Sequence, residues 1–88
     1  MDAKYDLKLL YKQWYMQEVK AKLTIEQKLS LINRISELRR KKSLCMDEER
    51  NYIGQFPELK PFSKTEKISG LQLCVILETI FEELHFPA

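Results

Sequence analysis

A chain of 88 residues is too short to divide into two domains, and a net charge of +2 is too small for a dedicated nucleic-acid binder. With only two glycines and three prolines, the composition favours helices over a turn-rich β fold. We therefore predict a single helical domain over residues 1–88.

The charges are unevenly distributed between the two halves of the chain. Residues 1–43 contain eleven Lys or Arg and five Asp or Glu, a net charge of +6. Residues 44–88 contain four and eight, a net charge of −4, and the two halves sum to +2. A basic half and an acidic half attract each other, either within one monomer or across an antiparallel dimer.

The cysteines and the apolar runs indicate a cellular compartment. Cys45 and Cys74 lie 29 positions apart with no CxxC spacing, which predicts free thiols in a reducing compartment, with a single disulfide as the alternative. The first residues lack the apolar run of a signal peptide. The longest apolar run, 73–77, is far shorter than the roughly 20 residues of a membrane span. We expect a cytoplasmic protein with no membrane partner.

Residues 2–22 are predicted to form the first helix, because they contain neither Gly nor Pro and show helical periodicity. One side carries a core-type apolar stripe, and the other side interleaves aromatic residues with lysines. Such a side can stack on bases, meet an acidic partner helix, or be covered by neighbouring helices. The partner-binding candidates on this side are Tyr5, Lys8, Lys12 and Tyr15.

A second helix is predicted to begin at a capping box formed by Thr24 and Gln27 and to continue to about residue 42. Its predicted core stripe consists of Ile25, Leu29, Ile32, Ile35 and Leu38. Cations at the end of a helix complement its dipole, although a polyanion-binding role is the alternative. The residues that would serve that role are Arg34, Arg39, Arg40, Lys41 and Lys42.

Residues 43–55 are predicted to form a short third helix, with acidic residues in its first turn and Gly54 at its end. The next segment, 56–62, contains Pro57 and Pro61, which favour an extended backbone. Its apolar side chains predict either packing over the bundle or display as a docking loop.

The last helix is predicted to follow a capping box formed by Ser63 and Glu66 and to end near residue 85. A buried strand over 71–77 is the alternative for its most apolar part. The predicted core arc comprises Leu73, Cys74, Ile76, Leu77, Ile80, Phe81 and Leu84. Three apolar residues appear surplus to this arc, and we predict that they bind a partner chain: Ile68, Leu71 and Val75.

No motif in the sequence predicts catalysis or cofactor binding. His85 is the only histidine, and the two glycines are isolated rather than part of a phosphate-binding loop. Acidic residues after the basic segment also disfavour a helix-turn-helix motif, because they would face phosphates with like charge. We expect a protein that is not an enzyme and holds no metal or cofactor.

These patterns together predict an all-α bundle of four helices, the third short and the C-terminal one central. We expect a protein–protein interaction module that acts as a small regulator, inhibitor or adaptor, and that forms a homodimer. One alternative is a structural subunit of a larger assembly. The other is a nucleic-acid-binding regulator that uses the basic residues Lys8, Lys12, Arg34, Arg39 and Arg40.

Overall fold

The computed structural model describes the backbone of residues 3–85 and the side chains of residues 6–85. Within this range the protein is all-α and contains no strand, so the class is confirmed and the strand alternative for 71–77 is wrong. Helix α1 continues beyond Trp14 as a π-helical turn and a 3₁₀ turn. The helical elements are α1 (Ala3–Trp14), its extensions Tyr15–Val19 and Lys20–Lys22, α2 (Ile25–Arg40), the 3₁₀ segments Ile53–Gln55 and Pro57–Phe62, and α3 (Gly70–His85).

Helix α3 is the centre of the bundle, as predicted, because both α1 and α2 pack against it. Its inner side chains include Leu73, Ile76 and Ile80, all fully buried. They join buried residues of the extension of α1, of α2 and of the segment 52–68 in one core. Burying apolar surface on several sides of α3 supplies most of the stabilisation that so short a chain can obtain.

One predicted helix start is confirmed and the other is wrong. Thr24 Oγ1 accepts a hydrogen bond from the Gln27 amide at 3.0 Å, and Gln27 Oε1 accepts one from the Thr24 amide at 2.9 Å. Ser63, by contrast, accepts from the Lys67 amide at 2.9 Å and caps no helix. The reciprocal pair that precedes α3 is Ser69 with Gln72 (3.1 and 3.3 Å), so the helix begins at Gly70.

The predicted third helix is displaced and reduced to short 3₁₀ turns. Most of 43–52 is irregular, because side chains there bind the backbone in place of helical hydrogen bonds. Asp47 Oδ1 accepts from the Glu49 amide, and Asn51 Oδ1 accepts from the amides of Ile53 and Ile68. The acidic residues therefore form a turn rather than the start of a helix.

The segment 56–62 is not extended as predicted but forms a 3₁₀ helix from Pro57 to Phe62. Proline fits the first position of a helix, where its missing N–H has no intrahelical acceptor to lose. Phe56 and Leu59 are fully buried and Phe62 packs against the core. Of the two alternatives for this segment, the structure shows core packing.

Both cysteines are free, as predicted. Cys45 is half-buried, and Cys74 is buried with its sulfur 3.6 Å from that of Met46. Burial raises the pKa of the Cys74 thiol, which keeps it in its less reactive, protonated form. None of the helices within residues 3–85 combines the length and the apolar character needed to cross a lipid bilayer.

Candidate functional site

The three predicted surplus residues of the last helix are core residues. Ile68 is 0 %, Leu71 3 % and Val75 4 % exposed in the monomer. The prediction assumed that one face of α3 would suffice for the core, but α3 lies between α1 and α2 and is enclosed on more than one side. These residues therefore cannot serve as an exposed docking surface, and that prediction is wrong.

Because Val75 is buried, Val75→Glu is expected to destabilise the monomer, by several kcal/mol, on the order of the cost of a buried unpaired charge. Urea denaturation followed by circular dichroism measures the change. Glu78→Val, at an exposed position on the same helix, is the control and should change the free energy of unfolding by about 0.5 kcal/mol at most. A Val75→Glu variant as stable as wild type would contradict this assignment.

The candidates on α1 are divided between core and surface. Tyr15 is fully buried, so the prediction that it binds a partner is wrong. Its hydroxyl donates to Glu83 at 3.4 Å, and burial together with the Glu83 charge raises the pKa of its phenol. Lys12 pairs with Glu82 at 3.3 Å, and Lys8 is exposed. The side chain of Tyr5 lies outside the described residues.

The predicted polyanion-binding residues do not form one patch. Arg34 connects α2 to the 3₁₀ segments: it donates to the Gln55 carbonyl at 2.9 Å, pairs with Glu58, and lies 4.9 Å from the Phe56 ring centroid. These contacts tie Arg34 to the fold, and a role for it in binding a polyanion stays a prediction. Two more of these cations lie within 4 Å of a single carboxylate, Glu37: Arg40 and Lys41.

Arg39 and Lys42 lie at a shallow depression of about 440 Å³ together with Lys8 of α1. Neither Arg39 nor Lys42 forms an ion pair with another described residue. Glu78 lies at the same depression and offsets part of the positive charge. Cations predicted on the first helix (Lys8) and at the end of the second (Arg39 and Lys42) therefore meet at this depression.

A second feature is formed by exposed apolar side chains on α1. Lys12 points towards α3, as its ion pair with Glu82 shows. Leu9 precedes Lys12 by three residues and Met16 follows it by four, so both lie on that side of the helix. Met16 also borders Glu82 in a surface depression. This side of α1 therefore adjoins the outer surface of α3.

The start of α2 lies near the end of α3, where Lys28 Nζ is 2.6 Å from Glu83 Oε1. Leu29 lies about 140° around α2 from Arg34, at about 100° per residue, and so faces away from the 3₁₀ segments that Arg34 contacts. Ile25 and Leu29 were predicted to be core residues, but they are 57 % and 47 % exposed, and that prediction is wrong.

Phe81 and Leu84, at the end of α3, were also predicted to be core residues, but 40 % and 37 % of their surfaces are exposed, and that prediction is wrong. Together with the exposed apolar residues of α1 and α2 described above, we call them the apolar face. It contains six of the eight large apolar residues that are exposed within the described chain. Its members are Leu9, Met16, Ile25, Leu29, Phe81 and Leu84.

A third feature lies on the opposite side of α1, between that helix and the segment 62–69. We call this depression of about 480 Å³ the α1 groove. Its walls include Tyr11 and Trp14, and the Trp14 indole donates to the Phe62 carbonyl at 2.9 Å. Glu48 lies at the groove as well and accepts a hydrogen bond from the Tyr11 hydroxyl at 3.1 Å. Burial and the adjacent Glu48 raise the pKa of Tyr11.

The described residues contain no group of three or more His, Cys, Asp or Glu side chains that could hold a metal ion. No protein-family model matches the chain, and the searches of curated proteins and of solved structures found no match either. The apolar face and the α1 groove therefore provide the basis for a functional assignment.

Proposed function

We propose that the protein is a non-enzymatic interaction module that assembles with another protein chain through its apolar face. The observation that carries this proposal is that six large apolar side chains on α1, α2 and α3 are exposed, with Met16 beside Glu82 of α3 and the start of α2 joined to α3 by Lys28 and Glu83. Single apolar residues are common on protein surfaces, but a contiguous group of them is typical of an interaction site. A regulator or adaptor needs such a surface and no catalytic group.

The partner that fits this face best is a second copy of the chain. Lys12 pairs with Glu82 within the chain, whereas Lys8 and Glu78 border one depression and form no ion pair with a described residue. In a two-fold dimer, Lys8 of each copy would lie against Glu78 of the other while the apolar faces meet. The apolar residues are then covered, which stabilises the folded chains by an amount that rises with the logarithm of protein concentration.

The nucleic-acid alternative has weaker support. Of its five proposed residues, Arg34 and Arg40 are engaged by carboxylates and Lys12 pairs with Glu82. Lys8 and Arg39 remain at one depression, which supports contact with a phosphate but not a continuous basic track. The structural-subunit alternative differs from our proposal in requiring a chain that does not fold on its own.

The proposal is tested by sedimentation equilibrium of matched variants. We expect Leu29→Ser, on the apolar face, to raise the dimer dissociation constant by about tenfold or more, equivalent to about 1.4 kcal/mol. Leu10→Ser is the control, because Leu10 is an equally exposed helical leucine (57 % against 47 %) outside the apolar face. Circular dichroism should show both variants folded, since neither side chain is buried.

Two results would contradict the proposal. One is a wild-type chain that remains monomeric up to about 1 mM, the weak end of specific association. The other is a Leu10→Ser variant whose dimerisation is weakened as much as that of Leu29→Ser.

A further inference from the structure

The α1 groove contains a carboxylate that the protein satisfies on one oxygen only. Glu48 Oε2 accepts the hydrogen bond from Tyr11, whereas Oε1 is buried and accepts none from the described residues. Glu48 forms no ion pair with a described cation either. Burying a carboxylate oxygen without a hydrogen-bond donor costs free energy, because the oxygen loses its hydrogen bonds to water and forms none with the protein.

The surroundings of Glu48 are suited to a cation with an apolar stem. Tyr11 and Trp14 provide aromatic surface within the same groove, and aromatic faces attract ammonium and guanidinium groups. The volume of about 480 Å³ lies within the range of small-ligand pockets, roughly 300–1,000 Å³. The other charged residues at the groove are one acid, Glu18, and two lysines, Lys64 and Lys67.

We propose that the α1 groove binds an arginine or lysine side chain of a partner protein. The cationic group donates to the Glu48 carboxylate at the groove, and its methylene stem lies along the rings of Tyr11 and Trp14. This site is distinct from the apolar face, because Trp14 and Tyr11 point away from the side of α1 that carries Leu9 and Met16. The inference therefore goes beyond dimerisation and does not depend on it.

The site can be tested on the whole chain, because Trp14 is the only tryptophan and reports on the groove by its fluorescence. The probe is N-acetyl-arginine amide, which has no charged terminus. We expect a saturable fluorescence change, and an affinity about tenfold lower in Glu48→Gln, in which the amide oxygen still accepts from Tyr11. Glu18→Gln, a change of the other groove acid, should bind within about twofold of wild type.

A second comparison keeps the test independent of the Glu48 variant. N-acetyl-norleucine amide has a similar stem but no charge, and we expect it to produce no saturable change in the wild-type protein. N-acetylglycine tests the opposite chemistry, a carboxylate held by Lys64 and Lys67. The proposal is overturned if the arginine probe does not bind, if Glu48→Gln binds it as well as wild type, or if either comparison probe binds more tightly.

Discussion

Gly70→Ala is expected to lower the free energy of unfolding by about 3 kcal/mol or more, at the upper end of overpacking effects. A Cβ at this position would lie 1.9 Å from the Cys45 carbonyl oxygen and 2.9 Å from the Cys45 carbonyl carbon. Both are backbone atoms, so no rotation of a side chain relieves the overlap. The Cys45 amide is also held by the Tyr52 hydroxyl at 2.6 Å, which resists movement of that segment.

The matched control for this prediction is Gly54→Ala. A Cβ on Gly54 meets nothing within 4 Å, so the change should leave stability within about 1 kcal/mol of wild type and can raise it by restricting the unfolded chain. Urea denaturation of the two variants under identical conditions gives the comparison. Equal stability of the two alanine variants would show that residues 43–52 do not press against the start of α3.

The parts of the fold that the sequence predicted correctly depend on local interactions. The capping box at Thr24 joins residues three apart, and the helical periodicity of the first, second and last helices extends over many turns. The start of α3 was predicted wrongly because Ser63 and Ser69 each precede a Glu or Gln by three residues. Contacts with distant residues distinguish the two possible starts, among them the approach of Gly70 to Cys45, 25 positions away, and the hydrogen bond of the Ile68 amide to Asn51.

The candidate sites were largely missed, because periodicity identifies apolar faces without showing which are covered. Ile25 and Leu29 continue the stripe of α2, but the buried side of this helix is formed by Lys28, Leu31 and Ile35, and both residues lie outside it and are exposed. Val75 was predicted to be exposed for a partner but is buried, because α3 is covered on more than one side. The α1 groove depends on Tyr11 meeting Glu48, 37 positions away, and no local pattern encodes that contact.

An ion pair between a buried lysine and a half-buried glutamate was also missed. Lys28 is only 5 % exposed, and its Nζ lies 2.6 Å from Glu83 Oε1. The partners are 55 positions apart, so spacing alone does not predict them. A lysine on an amphipathic helix is normally a surface residue, and the burial of Lys28 depends on the position of Glu83 on the adjacent helix.

Glu83→Leu is expected to lower the free energy of unfolding by about 3–5 kcal/mol, because it leaves the Lys28 charge buried and unpaired. It also removes the acceptor of the Tyr15 hydroxyl. The control is Glu82→Leu, which breaks the neighbouring pair with Lys12. That pair is 60 % and 48 % exposed on its two side chains, so its loss should cost less than about 1 kcal/mol.

The double variant Lys28→Met with Glu83→Leu determines what the pair contributes. Replacing both charges by apolar groups of similar size is often neutral or stabilising, so we expect this variant to recover most of the stability that Glu83→Leu loses. A double-mutant cycle from urea denaturation, at concentrations where the chain is monomeric, measures the coupling. If Glu83→Leu is no less stable than Glu82→Leu, Lys28 reaches solvent in the folded state. If the double variant recovers stability, the pair between α2 and α3 adds no net stability to the fold, and the large loss in Glu83→Leu comes from the unpaired Lys28 charge.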